Sequence, residues 1–338
     1  MTNLVKKVQN TVFQQELFGR GGKIILAVSG GPDSVCLLDI FSKLQKKYSL
    51  ELCIAHVNYG LRGKDSDKDE ALVRKLGKKY GMEVFVLNAR EIPTTPPSRR
   101  VRRATSPEYR GGGNAFSENA LRDLRYAFFE KLRLENKFDF IAVAHNADDQ
   151  TETFLMRIIR GAGLQGMTAM RFKNNRLIRP LLAITRKEIL QHLKENKLTY
   201  RIDRTNLKND FLRNKIRNSL IPYLEKNFNP NIKGTIFDSL VALSEDISFL
   251  DSETDKYDKK LAELDSQKLL KLPPAILRRI IRKRLAEKKG DLKNISTNNV
   301  EEILKIIKST KNKRQVVTIG ELKITRKGDK LEISRKNT

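Results

Sequence analysis

The sequence predicts an α/β fold: a parallel, doubly wound sheet followed by a smaller, mainly helical domain with a terminal β-hairpin. Short apolar runs rich in β-branched residues alternate with longer stretches whose apolar residues have helical spacing. This alternation is typical of parallel strands with helices on both faces of the sheet. The character of the chain changes after Pro222 and Pro230. We therefore predict one domain over residues 1–228 and a second over 229–338.

Composition limits the class of protein and of partner. The 338 residues are 39% hydrophobic, which is enough for one sizeable core and part of a second. A net charge of +27 favours a polyanionic partner, nucleic acid first, over the alternative of a merely soluble basic protein. Cys36 and Cys53 lie in apolar runs without metal-ligand spacing, so we expect neither a disulfide framework nor a metal cluster. No apolar run is long enough to cross a bilayer, which predicts a cytoplasmic protein with no membrane partner.

Four strands are predicted in the first domain, over residues 24–28, 52–57, 84–87 and 140–144, with helices at 35–48 and 69–80. Three of these strands end in polar clusters: residues 29–34, His56 with Asn58, and residues 145–149. Ligands of parallel sheets bind beyond the carboxyl ends of the strands. The three clusters are therefore expected to converge on one site.

The first cluster, "SGGPDS", joins a strand to a helix and suits a phosphate group, because backbone N–H groups and a helix dipole meet there. It lacks the lysine of a Walker A loop, which disfavours γ-phosphoryl transfer. The turn resembles the pyrophosphate loop of the N-type ATP pyrophosphatases, and an ordinary strand-to-helix turn with an Asp cap is the alternative. The candidate nucleotide-binding residues are Ser29, Gly30, Gly31, Pro32, Asp33, Ser34 and His56.

The second cluster, "AHNADDQTET", places His145 at a strand end and Asp148, Asp149 and Glu152 at a helix start. Acidic residues in a first turn often serve only the helix dipole. A histidine four residues before Asp149, at the edge of the sheet that carries the phosphate loop, favours acid–base or Mg²⁺ chemistry instead.

Basic residues supply further candidates. Arg122 and Arg125, in "SENALRDLRYAFF", clamp the charge of an adenylate in one interpretation and form surface ion pairs in the other. Residues 93–114 form a basic, flexible loop that either grips phosphates or is simply solvated. A later polar stretch either binds substrate or caps the end of the domain; its candidates are Asp203, Asn206, Arg213, Asn214 and Arg217.

The second domain is divided by charge. Residues 229–268 carry a net −4 and residues 269–338 a net +13, so we expect the latter to be the RNA surface. A basic helix in "AILRRIIRKRLAEKK" is predicted to bury one apolar stripe, and strands with a turn at 327–329 follow. The residues of that stripe are Ile276, Leu277, Ile280, Ile281 and Leu285.

The motifs together resemble the tRNA(Ile)-lysidine synthetases, in order and over most of residues 24–222. The stretches that carry the resemblance are "SGGPDS", "HVNYGLRG", the helix with Glu118, Arg122, Arg125 and Tyr126, "AHNADDQTET", "RGAGLQGM", "RPLLAITRKEI" and "YRIDRTNLKNDFLRNKIRNSLIP". The family usually has histidine where this chain has Tyr59 and Asn146, and residues 93–114 are an atypical insertion. The chain also lacks the additional C-terminal domain of longer members, so we expect a short form.

The resemblance implies a two-step reaction. ATP adenylates the 2-oxo group of the wobble cytidine in the CAU anticodon of tRNA(Ile), and the side-chain amine of free L-lysine then displaces AMP. By the same resemblance Arg125, His145 and Asp149 are catalytic, and residues 29–34 form the ATP loop. Their carboxylates make Asp33 and Asp149 the candidate Mg²⁺ ligands. Whether Asp149 acts as a base or as a metal ligand is left open, as is the oligomeric state, for which a homodimer is one option.

Two rival functions follow from the same motifs. A tRNA thiolase with this ATP loop needs sulfur-handling cysteines, and both cysteines here are predicted to be buried. A non-catalytic RNA-binding module would have no use for the intact Ser29, Asp33, His145 and Asp149.

Overall fold

The computed structural model describes residues 4–91, 118–168, 170–202, 212–261, 263–290, 295–311 and 313–336. These residues form two compact units, one of residues 1–160 and 169–237 and one of residues 161–168 and 238–338. The predicted domain boundary between residues 228 and 229 stays a prediction. The 93–114 loop, with Asp203 and Asn206, lies outside the described residues.

A six-stranded sheet forms the centre of the first unit. Its strands are β1 (Lys23–Ala27), β2 (Glu51–Asn58), β3 (Glu83–Asn88), β4 (Phe140–Ala142), β5 (Lys173–Asn174) and β6 (Leu177–Ile178). Their order is β3-β2-β1-β4-β6-β5, with every pair parallel except β5 with β6. The four predicted strands are confirmed, and the short pair β5 and β6 is added at one edge. Since β1 lies between β2 and β4, the chain reverses its winding direction there, which opens a cleft beyond these strand ends.

Helices cover both faces of this sheet. They are α1 (Leu4–Gln14), α2 (Pro32–Tyr48), α3 (Lys64–Tyr80), α4 (Glu118–Glu135), α5 (Ala147–Ile159), α7 (Arg186–Glu195), α8 (Leu212–Lys215) and α9 (Ile221–Asn227), with a π-helical segment Ile216–Leu220 before α9. Alternate residues of β1 enter different cores. Ile24 and Leu26 belong to the core that contains Phe41 of α2, whereas Ile25 belongs to the one that contains Phe129 of α4. The predicted doubly wound sheet is confirmed.

A buried polar brace joins α2 to α7. The Asp39 carboxylate, on a residue only 4% exposed, lies 2.7 Å from His192 Nε2 and accepts a hydrogen bond of 3.0 Å from the Tyr80 hydroxyl. Lys43 Nζ lies 2.7 Å from the same carboxylate. The contact with His192 links α2 to α7, while Tyr80 and Lys43 satisfy the same buried carboxylate, which would be costly without partners.

The second unit packs helices against a small antiparallel sheet. Its elements are α6 (Leu164–Met167), the later part of α10 (Ile232–Lys259), α11 (Ser266–Leu270), α12 (Pro274–Lys289), α13 (Thr297–Lys308), β7 (Gln315–Ile319), β8 (Leu322–Lys327) and β9 (Lys330–Arg335). The sheet order is β7-β8-β9, so the predicted terminal hairpin is confirmed and gains a third strand. The apolar stripe predicted for the basic helix is buried in α12, which confirms that pattern.

Carboxylates of α10 neutralise much of the charge on α12. Arg279 Nη1 lies 2.8 Å from Asp251, Lys283 Nζ 2.6 Å from Asp255, and an Arg284 Nη2 nitrogen 2.8 Å from Asp258. These α10 carboxylates come from the acidic segment of the second domain. The opposite charges of the two segments thus meet inside one unit.

Candidate active site

The turn after β1 is held in shape by its own side chains. Ser34 Oγ donates to Gly31 O at 2.8 Å and accepts the Ser29 N–H at 3.1 Å, while Ser29 Oγ accepts the Gly31 N–H at 3.3 Å. Gly31 is the N-cap of α2 and Pro32 occupies the first turn. The first N–H groups of a helix have no acceptor within it. The turn therefore directs free backbone donors and the positive end of the α2 dipole outward, as an anion site requires.

Contacts from behind hold the same turn in place. Gly30 has φ +86°, a left-handed conformation that favours glycine, and a Cβ there would lie 3.5 Å from Asp69 O. The Gly30 carbonyl accepts the Arg201 N–H at 3.0 Å, and the Arg201 side chain is ion-paired with Asp69. Arg62 also pairs with Asp69, at 2.6 Å. Arg62, from the stretch "HVNYGLRG", and Arg201 thus contribute support behind the loop.

A cavity of about 290 Å³ opens in front of this turn, beyond the ends of β1, β2 and β4. Its apolar walls come from strand residues such as Ala27, Ala55 and Val57, and its polar edge carries hydroxyls, a carboxylate, an imidazole and a guanidinium. These polar groups belong to Ser29, Asp33, Ser34, Tyr59, Arg125 and His145. Its size and mixed lining suit a nucleotide, whose base is apolar on its faces and whose phosphates are anionic.

Only one of the two carboxylate oxygens of Asp33 has a partner among the described residues. One carboxylate oxygen, Oδ2, is ion-paired with Arg186 at the start of α7, while Oδ1 is buried and has no hydrogen-bond partner among the described residues. Burial raises the pKa of Asp33 above its ordinary value, against the lowering effect of Arg186. Since an unpartnered buried oxygen is costly, Oδ1 is the atom of this loop that gains most from a cation or donor.

Mg²⁺ in nucleotide sites is held by one or two carboxylates together with the substrate phosphates. The free Oδ1 of Asp33, at the edge of the phosphate loop, fits that donor set. The two Asp149 oxygens are both engaged: Oδ1 by Arg213 at 2.7 Å, and Oδ2 by the Asn146 N–H at 3.1 Å. No cluster of three or more metal-ligating side chains occurs in the described part of the chain. The geometry thus favours Asp33 over Asp149 as the protein's ligand to the metal.

His145 lies in a strongly cationic environment. Burial lowers the pKa of its imidazole to about 3, and the positive charges of Arg179, Arg213, Arg125 and Arg122 act in the same direction. Its Nδ1 atom is buried without a partner among the described residues. The ring is therefore neutral at physiological pH, able to exchange hydrogen bonds with a substrate, and its proton affinity rises when an anion enters the cavity.

Three arginines near His145 have no carboxylate partners among the described side chains, and one of them, Arg125, lines the cavity. The guanidinium carbons of Arg122 and Arg125 each lie 5.5 Å from the Tyr126 ring centre. Arg179 is 6% exposed, donates from Nη1 to Arg171 O at 2.8 Å, and has an unpartnered buried Nε. Burial and the nearby Arg122 lower the pKa of Arg179. Clustered cations that lack a counter-ion are stabilised by an incoming anion.

The acidic start of α5 is neutralised by two arginines. Glu152, 1% exposed, lies 2.7 Å from Arg213 Nε and 2.9 Å from Arg217 Nη2, and Arg213 and Arg217 both reach Asp149. Burial lowers the pKa of Arg217, but its bonds to Glu152 raise it overall. In this conformation the two arginines tie the 212–220 segment to α5, and their assignment to substrate stays a prediction.

The remaining predicted residues are more scattered. His56 does not line the cavity; its Nδ1 lies 2.8 Å from Val28 O and burial lowers its pKa, so its nucleotide role also stays a prediction. Asn214 is half-buried in α8. Asn146, at a position where histidine was expected, caps α5 by accepting the Asp149 N–H at 3.0 Å. Tyr59, the other such position, lines the cavity and donates to Leu121 O at 3.1 Å.

Sequence reasoning gave no individual role to Arg179 or Arg186, and it named Tyr126 only as one of the helix residues that carry the resemblance. Arg179 and Arg186 lie in the motif "RPLLAITRKEI", which carried part of the resemblance, so the motif was the available signal. Their contact with the loop and with His145 exists only in three dimensions, because about 150 residues separate Asp33 from Arg186.

Both cysteines are unsuited to sulfur chemistry. Cys36 and Cys53 are buried in separate apolar cores, and burial raises the pKa of Cys53 to about 12. Protein iron–sulfur clusters are typically held by four thiolates, whereas this chain has two. The thiolase interpretation therefore has no ligand set in this sequence.

Comparison with known proteins agrees with this site. The PP-loop domain family matches residues 2–224. The tRNA(Ile)-lysidine synthase of Clostridium perfringens (strain ATCC 13124) is 36% identical over 331 residues, 96% of this chain and 67% of that protein. The enzyme of that name from Clostridium tetani is 37% identical over 324 residues, 92% and 65% respectively. This chain thus spans about two thirds of the length of these relatives.

One solved structure is similar in fold. It is the U34-tRNA thiolase NcsA from Methanococcus maripaludis, with a TM-score of 0.55, 22% identity, and coverage of 71% of this chain and 78% of that one. At this identity the similarity concerns the fold alone. The family match and the curated relatives confirm the predicted PP-loop fold and the predicted resemblance. The chain belongs to the tRNA(Ile)-lysidine synthase family of ATP-dependent PP-loop ligases.

Proposed function

We propose that this chain joins free L-lysine to the wobble cytidine of a tRNA(Ile) with a CAU anticodon, using ATP. The observation that supports this best is a single cavity that brings the phosphate loop together with Arg125 and His145. A phosphate site alone would fit many ATP-using proteins. A cationic group and a neutral imidazole at the far edge of the same cavity suit adenylyl transfer to a second substrate.

In the first step, the 2-oxo oxygen of cytosine attacks the α-phosphorus of ATP. A bond from that oxygen to phosphorus forms, the bond to the β-phosphate oxygen breaks, and pyrophosphate leaves. The serine hydroxyls and backbone N–H groups of the turn hold the leaving pyrophosphate, and Arg125 stabilises the charge that develops on the transferred phosphoryl group.

In the second step, the lysine amine attacks C2 of the cytosine. A carbon–nitrogen bond forms, the bond between C2 and the activated oxygen breaks, and AMP leaves with that oxygen. The attacking amine loses a proton, for which Asp149 and neutral His145 are the nearby acceptors in this chain. The base role of Asp149 requires Arg213 to release its carboxylate first.

Mg²⁺ is part of this proposal, with Asp33 as its main protein ligand. When bound, the ion supplies charge neutralisation for the triphosphate and its leaving pyrophosphate. The residues of the chain then orient the nucleotide: the turn holds the phosphates, while the apolar strand residues of the cavity contact the base.

A cytoplasmic location belongs to the same proposal, because the substrate is a tRNA. In the part of the chain that the structure describes, no helix combines the length and the apolar character that a membrane crossing demands.

The test is release of AMP and pyrophosphate from ATP that depends on both lysine and tRNA(Ile). Without tRNA we expect neither product to be released. When only lysine is withheld, pyrophosphate is released as adenylated tRNA accumulates, and AMP is not released until lysine is added. A tRNA(Met) with the same anticodon is the control for the RNA. Ser34→Ala is expected to lose AMP formation, whereas Ser42→Ala, further along the same helix, keeps it. Release of AMP that is indifferent to lysine would contradict the proposal.

A further inference from the structure

The phosphate loop carries an acid and no base of its own. Its charged residue is Asp33, and the lysine that a Walker A loop places against the terminal phosphates is missing. An ATP molecule brings several negative charges to this loop. A loop with a net negative charge binds such a ligand poorly unless a cation from elsewhere in the fold compensates.

The structure brings one cation to this loop from α7. The Arg186 guanidinium is ion-paired with Asp33 Oδ2, although the two residues are far apart in the sequence. Its side chain is 37% exposed, so solvent and ligands have access to it. The cations that contact the acidic residues of α5 are paired with those residues and not with Asp33; they are Arg213, Arg217 and Lys233.

The backbone of Arg186 is fixed while its side chain is not. Its N–H donates to Asp148 Oδ2 at 2.8 Å, and the preceding Thr185 caps α7 in a reciprocal box with Glu188. The buried brace from Asp39 to His192 holds the same helix against α2. The Arg186 backbone is thus held beside the loop, and rotation of its side chain can change what the guanidinium contacts.

We propose that Arg186 is the phosphate-binding cation of this loop, directed at the β- and γ-phosphates of ATP. Without nucleotide it is paired with Asp33; with Mg·ATP bound, Asp33 turns to the metal and Arg186 to the terminal phosphates. The free Oδ1 of Asp33 supports this exchange, because Arg186 pairs with Oδ2 and leaves Oδ1 without a hydrogen-bond partner among the described residues. The inference rests on the proposed use of ATP, and it adds a residue from outside the loop to the nucleotide site.

The test is nucleotide binding to the full chain, measured by calorimetry without tRNA or lysine. Arg186→Ala is expected to weaken Mg·ATP binding by about 10- to 100-fold, the size of a lost charge-assisted hydrogen bond. AMP has no β- or γ-phosphate, so its affinity is expected to stay within about 2-fold. Arg186→Lys keeps the charge without the bidentate geometry and should lie between the two. Lys187→Ala, the exposed neighbour on the same helix, is the matched control and should bind like the unaltered chain.

Each other result has a defined meaning. Arg186→Ala that binds Mg·ATP as the unaltered chain does would overturn the inference and leave the proposed function intact. Equal losses for Mg·ATP and AMP would also overturn it, because they indicate a purely structural ion pair with Asp33. Thermal melting of each variant identifies a folding defect, in which case Arg186→Lys and Arg186→Gln decide by the same ATP-to-AMP ratio. If the unaltered chain binds no Mg·ATP at all, the proposed function fails together with this inference.

Discussion

Arginines are abundant in two regions of this protein, and the two regions differ in whether these arginines are paired with carboxylates. On α12, several basic residues are paired with carboxylates, as Arg279 is with Asp251 and Arg284 with Asp258. Around the cavity of the first unit, Arg122, Arg125 and Arg179 have no carboxylate partner among the described side chains. The second region is therefore the one in which an incoming anion meets uncompensated charge.

This difference shows how a charge count misleads. The +13 of residues 269–338 predicted the RNA surface, and that assignment stays a prediction. The structure shows that ion pairs within the unit neutralise part of this positive charge. The paired cations therefore attract a distant polyanion less strongly. Unpaired cations locate an anion site better than net charge does.

The largest effect that separates the two regions is expected from Arg125→Ala. Removal of a preorganised cation at the transferred phosphoryl group should lower turnover by roughly 10²- to 10³-fold, with loss of tRNA adenylation itself. Adenylation is measured by trapping radiolabelled AMP on the tRNA. Lys131→Ala, exposed on the same helix, is the control. Wild-type adenylation in Arg125→Ala would remove this arginine from the site.

The second prediction uses pH to report the cationic field at the cavity. The folded pKa of His145 is about 3 and its ordinary value is 6.5, so below pH 6.5 the unfolded chain binds a proton that the folded chain does not. The free energy of unfolding should thus fall as pH decreases from 6.5 toward 3. Up to about 1.4 kcal/mol per pH unit of that slope comes from this one group.

His145→Asn should reduce the slope of unfolding free energy against pH by up to about 1.4 kcal/mol per pH unit, which is the contribution of one proton. Chemical denaturation between pH 4.5 and 6.5, where most carboxylates remain charged, measures it for both proteins. Identical slopes in the two proteins would mean that His145 titrates normally and that the arginines around it are compensated after all.

A third prediction concerns the paired region. Asp258 is 6% exposed and lies 2.8 Å from both Lys283 and Arg284. Asp258→Asn keeps the shape but removes the charge, and should cost about 1–3 kcal/mol of unfolding free energy. Asp255→Asn, on the exposed side of the same helix, should have little effect. Equal effects of the two changes in denaturant melts would show that burial does not distinguish these pairs.

The smallest effect is expected on tRNA binding when a paired cation is removed. Arg278 lies 2.8 Å from Glu301, so Arg278→Ala should change tRNA affinity by less than about 2-fold and leave its salt dependence unaltered. Arg122→Ala, which removes an uncompensated cation, should reduce the slope of log K against log salt by about 0.7 to 0.9 for one phosphate contact. Filter binding over a series of salt concentrations measures both. A slope that falls only for Arg278→Ala would reverse the comparison.

Sequence patterns predicted the centre of this fold well because its signals are local. The apolar run before "SGGPDS" and the helix after it are set by neighbouring residues, and β1 and α2 appear where the pattern placed them. Strands β5 and β6 have two residues each, too few to show a period, and they form because β4 offers an open edge. The ion pairs of α12 could not be predicted from the sequence either, because the carboxylates lie on another helix.

The site, too, was predictable where its signals are local and not where it depends on contacts between distant segments. The loop residues, Arg125 and His145 are brought together as the strand ends predicted, in one cavity. His56 lies within a predicted strand, but its side chain does not line that cavity, since alternate residues of a strand face opposite ways. The ion pair between Arg186 and Asp33 could not be predicted from the sequence, because no local pattern in either segment indicates that the two residues meet in the fold.

The brace between α2 and α7 has a consequence for the speed of nucleotide capture. Since the Asp39–His192 contact already links the helices that carry Asp33 and Arg186, we expect neither of these two helices to move when ATP arrives. The adjustment left to the chain is rotation of exposed side chains, which takes picoseconds to nanoseconds, whereas domain closure takes microseconds to milliseconds. Stopped-flow traces of ATP binding should accordingly show one phase whose rate rises linearly with ATP concentration, with no plateau from a slow isomerisation.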